Sequence, residues 1–279
     1  MPRFRYAEDR VPVILMFLFS IIDFCIYMTV DVWWFPVLWM GLTIVPRGWI
    51  CARNHHHQHA ATFEGVWMNR VLEVILGFHT GVTSHTWFLH HVVGHHKNYL
   101  DQSKDESRWK RADGSTMGEL AYSLDVALTS YWRAWQTGAT VPKQRAIFAR
   151  MAVLQLVLLG ALFWHNWYNA LFIYALPMWF SLWGTAWATY FHHAGLDTKD
   201  PYQASYNVTD RWYNLFTGNL GLHTAHHLRP AVHWSRLPEL HASIADKIPA
   251  ELYREPGLPY RWRHADRKVR EVAEGVPTN

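Results

Sequence analysis

The sequence predicts an all-α integral membrane protein, a bundle of four spans with a cytoplasmic helical cap that carries its histidines. Three observations lead there. Hydrophobic residues make up 50% of the 279-residue chain and are gathered into blocks close to the roughly 20 residues a helix needs to cross a bilayer. Arginine and lysine gather at one end of those blocks. The 19 histidines are concentrated in short clusters beside the same blocks.

Taken in order, residues 11–30 form the first expected span, with Asp23 as its one acid. The second covers 32–50, with Asp31 in the short turn before it and Pro46-Arg47 as its expected water interface. Residues 51–146 make the first part of the cap. Within it, 71–88 is apolar but interrupted by Glu73, His79, Thr80, Ser84 and His85, which suits an interfacial or re-entrant segment. Residues 112–115 read as a loop and 117–135 as an amphipathic helix. The third span is 147–164, and His165-Asn166-Trp167-Tyr168-Asn169 is an uncharged aromatic turn typical of a membrane interface. The fourth span is 170–191, kinked at Pro177. Residues 192–279, polar and basic, complete the cap. The whole, 1–279, is expected to be a single domain.

The basic start Met1-Pro2-Arg3-Phe4-Arg5 before an apolar run has the outline of a signal peptide. A small-residue cleavage site is not evident, and a second apolar run follows at once, so a span is expected instead. Arg3, Arg5, Arg10, Arg47, Arg53, Lys97, Lys143, Arg145 and Arg150 flank one side of the spans. The turns around Asp31 and Trp167 have no lysine or arginine. The positive-inside rule therefore puts both termini and all histidine clusters in the cytoplasm. A net charge of +4, with arginines bracketing apolar blocks, points to membrane orientation and away from nucleic acid. Cys25 and Cys51 make no disulfide framework. Cys51, four residues before His55, reads better as a small buried hydrophobe than as a ligand.

The clusters are Asn54-His55-His56-His57-Gln58-His59, His90-His91-Val92-Val93-Gly94-His95-His96 and His223-Thr224-Ala225-His226-His227, with His192-His193 between the last two. On an α-helix, residues four apart share a face. That pairs His55 with His59 and His91 with His95, and lets His223, His226 and His227 face one point. His96 would point about 100° around from His95. Neutral imidazole is the commonest protein metal ligand. At least nine are available, too many for one ion, whereas two ions with four or five each would use them and keep positions open. Imidazole suits iron, copper, zinc and nickel alike. His79, His85 and His165 lack partners at ligand spacing and are assigned interfacial or hydrogen-bonding roles. Asp101, Asp105 and Glu106 read as a solvated or capping acidic turn. Asp23, an acid within a span, is either functional or close to the membrane face.

With its three boxes, His55–His59 (H-x3-H), His91–His95–His96 (H-x3-H-H) and His223–His226–His227 (H-x2-H-H), the chain resembles the membrane fatty acid desaturase and hydroxylase superfamily over most of residues 10–245. The resemblance implies a non-haem di-iron centre that activates O₂ as co-substrate. It implies as ligands His55, His59, His91, His95, His96, His193, His223, His226 and His227. His193 is favoured over His192 by the glycine two residues on, and Asn219 is the residue that reaches the metal through water. It further implies a fatty acyl or related lipid substrate, with desaturation first among the outcomes. Hydroxylation, or oxidative decarboxylation to a terminal alkene, are alternatives at the same centre. The H-P-G-G haem motif is absent from this sequence. A separate carrier, such as a ferredoxin or rubredoxin with its reductase, is then expected, steered to a basic surface formed by Lys97, Lys104, Arg108, Lys110, Arg111 and Arg229. The expected location is a bacterial inner membrane. A reading of another class, a histidine-rich metal-binding or transport protein, would place ionisable groups near the bilayer midplane. Histidines at span ends favour the enzyme.

Overall fold

Inside a bilayer every backbone polar group needs an internal partner, which a helix supplies within its own segment. The apolar blocks accordingly form α1 (Arg10–Thr29), α2 (Trp34–His59) and α5 (Pro142–His165). The structure, a computed structural model, describes residues 3–257; the end of the expected cap, 258–279, lies outside them. Among the described residues the chain is all-helical, with only isolated bridges outside the helices. Three helices among the described residues are long and apolar enough to cross a membrane: Ala7–Thr29, Trp34–His59 and Pro142–His165. They turn bare apolar side chains outward, such as Val11, Leu15, Leu42 and Leu156. The second runs well past Ile50, so His55 and His59 sit on the last turns of the span itself.

The expected fourth span is not one uniform helix. It changes winding, from α6 (Trp167–Asn169) through a π-helical stretch, Ala170–Ala175, to α7 (Leu176–His193). None of these pieces is by itself long and apolar enough to count as a span. Pro177 has no N–H to give the carbonyl of Ile173, four residues back. Arg47 Nη2 donates to that carbonyl across the bundle at 3.1 Å.

The far turns lie together. Asn169 Nδ2 donates to the carbonyls of Tyr27 and Val30, both at 2.9 Å, and Tyr168 O–H to that of Trp33 at 2.8 Å. Exposed Trp33, Trp34, Trp164 and Trp167 ring this end, as an aromatic belt does.

Residues 71–88 enter the bundle and turn back within it. Helix α3 (Val66–Thr80) runs from the histidine end into the bundle. Its His79 Nε2 meets Ser20 Oγ of α1 at 2.8 Å, and its Nδ1 accepts from Arg47 of α2 at 2.8 Å. Gly81 ends it with φ 67°, and a Cβ there would stand 2.3 Å from the carbonyl oxygen of Met178, so only glycine fits. The chain returns through a π-helix, Phe88–His95. Asp23, expected either to be functional or to sit near the membrane face, is fully buried and paired with the buried Arg47 at 2.8 Å.

Helix α4 (Glu119–Thr137) lies along α7, tied by Trp183 Nε1 to Ser123 Oγ at 2.8 Å and by Tyr190 O–H to the Met117 carbonyl at 2.7 Å. Its other face exposes Leu120, Leu128 and Trp132. Three short helices, α8 (Arg211–Thr217), α9 (His223–Leu228) and α10 (Leu237–Ala242), close over the histidine end around Leu222, Ala225, Leu237, Ile244 and Leu252.

Candidate metal centre

Four elements bring histidines to one place: the end of α2, the π-helix, the end of α7, and α9. They sort into two groups. In the first, ligand atoms of His55, His59, His91, His96 and His226 all lie within 4.8 Å of one another; in the second, so do those of His95, His193 and His227. His223 Nε2 stands 3.0 Å from His193 Nε2 and extends the second group. The groups adjoin, with the His96 and His227 rings stacked at 4.1 Å.

The sorting departs from α-helical expectation twice. His91 and His95 do not share a target. The segment is π-helical, with the N–H of His96 donating to the His91 carbonyl at 2.8 Å. Winding by five residues superposes His91 and His96 in the first group and turns His95 to the second. Nor do His223, His226 and His227 face one point. Helix α9 sits between the groups, so the neighbours His226 and His227, about 100° apart, serve one each. The α2 pair, His55 and His59, keeps its α spacing in a single group, as do His223 and His227, four apart on α9.

The rings are held from behind. His95 Nδ1 donates to the Asp105 carboxylate at 2.8 Å, leaving Nε2 toward the group. His193 Nδ1 donates to the Ala204 carbonyl at 2.9 Å and His223 Nδ1 to that of Leu220 at 3.2 Å. Such outer partners fix the tautomer and raise ligand basicity. His192 is occupied otherwise: Nδ1 donates to the Tyr206 carbonyl at 2.9 Å, and Nε2 accepts from Tyr213 O–H at 3.1 Å. His56 bonds to the Thr217 carbonyl, and His57 to Thr62 and Glu73, both outside the groups. Asn219 is not on the helix of His223. It precedes α9 in a left-handed turn, φ 62°, and its Nδ2 donates to the Trp234 carbonyl at 3.0 Å.

The donor set fits metal. Nε2 of His59, Nε2 of His95 and both nitrogens of His227 are buried with no hydrogen-bond partner among the described residues, a costly state for polar atoms. Imidazole nitrogens face one another at 2.9 Å (His55–His226), 3.0 Å (His91–His96) and 3.1 Å (His96–His226). Burial first, then neighbouring imidazoles, holds His91, His96, His223, His226 and His227 well below the ordinary histidine range. They are neutral at pH 7, as ligation requires. Among the described residues no carboxylate or thiolate enters either group. Cys51 is buried beside the Ser181 carbonyl instead.

An apolar cavity of about 270 Å³ leads away from the groups between α2 and α7, with His55, His91 and His223 at one end. Larger grooves, about 470 and 580 Å³, border α1 elsewhere and touch no grouped imidazole.

Asp105 was legible only as part of an acidic turn, yet it is 1% exposed and orients His95. The one available signal was its place ten residues after a box histidine. The basic docking surface is less open than its residue types suggest. Lys104 pairs with Asp101 at 3.2 Å and Lys110 with Asp197 at 2.5 Å. His165 stays at the opposite end, its ring 5.8 Å from Tyr27.

A chloroplastic omega-3 fatty acid desaturase of Ricinus communis is 25% identical over 241 residues, covering 73% of this chain. The chain spans about half of that relative, 52% of its length. The family model for fatty acid desaturase matches residues 31–263, and with most of its length inside that match the chain belongs to the fatty acid desaturase family.

Proposed function

We propose that the chain is an O₂-dependent membrane oxidoreductase that desaturates a fatty acyl chain at a di-iron centre. The observation that carries this is the end-on meeting of an apolar cavity with five- and four-imidazole groups. His55, His59, His91, His96 and His226 would hold one iron, and His95, His193, His223 and His227 the other. Bound iron supplies the capacity to activate O₂ and take hydrogen from an unactivated C–H bond. The overall change is –CH₂–CH₂– + O₂ + 2e⁻ + 2H⁺ → –CH=CH– + 2H₂O.

The protein's own part is positioning and exclusion. The cavity walls fix which methylenes lie under His55 and His91, and misplacement on the scale of an ångström is enough to change an outcome. Hydroxylation and decarboxylation are therefore alternative products of the same centre. Asp105 holds the His95 tautomer, and burial keeps water from the reacting carbons.

Membership of the fatty acid desaturase family supports reading the chain as a membrane enzyme acting on lipid. We place the chain in a bacterial inner membrane, with residues 170–191 as a fourth span, and from the arginine bias we assign the histidine end to the cytoplasm. A separate electron carrier of the ferredoxin or rubredoxin type docks there. Metal transport is the weaker reading. The ionisable groups deep in the bundle, Asp23, Arg47 and His79, are bonded to one another and to protein neighbours, and lie apart from the histidine groups. Metal analysis combined with product analysis on acyl chains of defined length tests the proposal. Iron near two per chain and a new double bond are expected; one tightly held zinc with no O₂ uptake would overturn it.

A further inference from the structure

The lining of the 270 Å³ cavity is buried or half-buried with four exceptions: Val45 and Gly48 on α2, and Phe180 and Gly184 on α7. Those four exposed positions, two on each helix, line the same cavity. At the histidine end the lining residues Thr217 and His223 are buried. The cavity's exposed rim is therefore on the flank of the bundle.

That flank lies in the bilayer. Counted at 1.5 Å per residue from Trp34 in the far aromatic belt, Gly48 stands about 21 Å along α2, within a hydrocarbon core roughly 30 Å thick. From Gly48 to His55 is a further ~10 Å on the same scale. The rim is open because both helices carry glycine at it. A Cβ built on Gly48 or on Gly184 meets nothing within 4 Å, so the missing side chains leave free space and are not required by close helix contact.

We propose that the substrate is a long acyl chain already resident in the bilayer, and that it reaches the histidine groups sideways through the Gly48–Gly184 window. This rests on the acyl-oxidation reading above and narrows it: an acyl group held by a water-soluble carrier protein is not the form that enters. A free fatty acid and the ester of a membrane phospholipid share the required chemistry, a hydrocarbon chain lying at the depth of the window.

The test uses the full chain in phosphatidylcholine vesicles with three photoreactive diazirine probes: a phospholipid, a free fatty acid and an acyl-carrier-protein thioester. Labelled peptides are mapped by mass spectrometry, and metal content and product are measured in parallel. One or both bilayer probes should label residues 44–55 and 180–192, and whichever does identifies the source. In Gly48→Leu and Gly184→Leu that labelling should fall at least fivefold with metal content unchanged. Gly48→Ala should fall less, and Gly160→Leu, on the outward face of α5, should label as the native chain does. Preferred labelling by the carrier thioester would overturn the proposal, as would native labelling in metal-replete leucine variants. Should a leucine variant lose metal, the Gly48→Ala protein and the probe comparison decide. Acyl oxidation insensitive to the window rejects lateral access alone, whereas window-dependent labelling without oxidation rejects the assigned reaction alone.

Discussion

Arg47 donates from α2 to the backbone carbonyl of Ile173, at 3.1 Å, where Pro177 has no N–H to offer. The same guanidinium holds Asp23 at 2.8 Å and His79 at 2.8 Å. One buried cation thus joins α1, α2, the tip of α3 and the π-helical start of the run that delivers His193.

Arg47→Met should therefore be far more damaging than its distance from the histidines suggests. Removing one partner of a buried pair leaves a buried charge uncompensated, at a cost of about 3–5 kcal/mol. The double variant Asp23→Asn/Arg47→Met should recover part of that loss. Thermal unfolding in detergent measures both, and a single variant as stable as the native chain would discard the assignment.

Asp105→Asn keeps the shape of the turn, including acceptance from the Ser107 N–H at 2.7 Å, but removes the charge behind His95. Metal affinity should fall about 10–100-fold, the usual effect of losing an outer partner. Chelator competition reads this directly, and unchanged affinity would show that Asp105 acts only on the loop.

His95→Ala and His226→Ala each remove an imidazole from a different group, so each should lower metal below two per chain and abolish turnover with membrane insertion intact. His165→Ala, at the far end, should keep native metal and activity. Equal losses in His165→Ala and His226→Ala at matched protein levels would refute the placement.

The pH response has a definite sign. His91, His96, His223, His226 and His227 are held well below the ordinary histidine value of 6.5 in the folded state. Below 6.5 the unfolded chain binds more protons than the folded one, so stability falls as pH drops. Metal-free protein should lose thermal stability between about pH 7 and 5, and metal should leave over the same range, since ligands must be deprotonated. A flat stability profile across that range would contradict the burial of these rings.

Much of the site was legible because box spacing and apolar blocks are local properties. His55 and His59 kept their α-helical pairing, and the aromatic turn at Trp167 lies at the end of the bundle away from the histidines, with Trp164 and Trp167 exposed. What escaped depended on winding and on distant contacts. The π-helix of Phe88–His95 looks like any apolar helix in sequence, so the regrouping of His91, His95 and His96 was hidden. The burial of Asp105 needed the fold, because an acid beside Lys104 and Arg108 has the appearance of surface. Arg47 was read as the water interface, since its buried partners Asp23 and Ile173 lie 24 and 126 residues away.

The regrouping also has a mechanical meaning. His95 and His96 are consecutive residues assigned to different groups, and so are His226 and His227. Two peptide units therefore act as rigid yokes across the centre. Seating an ion on one side orients the neighbouring residue on the other, so half-loaded protein should be scarce and uptake close to all-or-none.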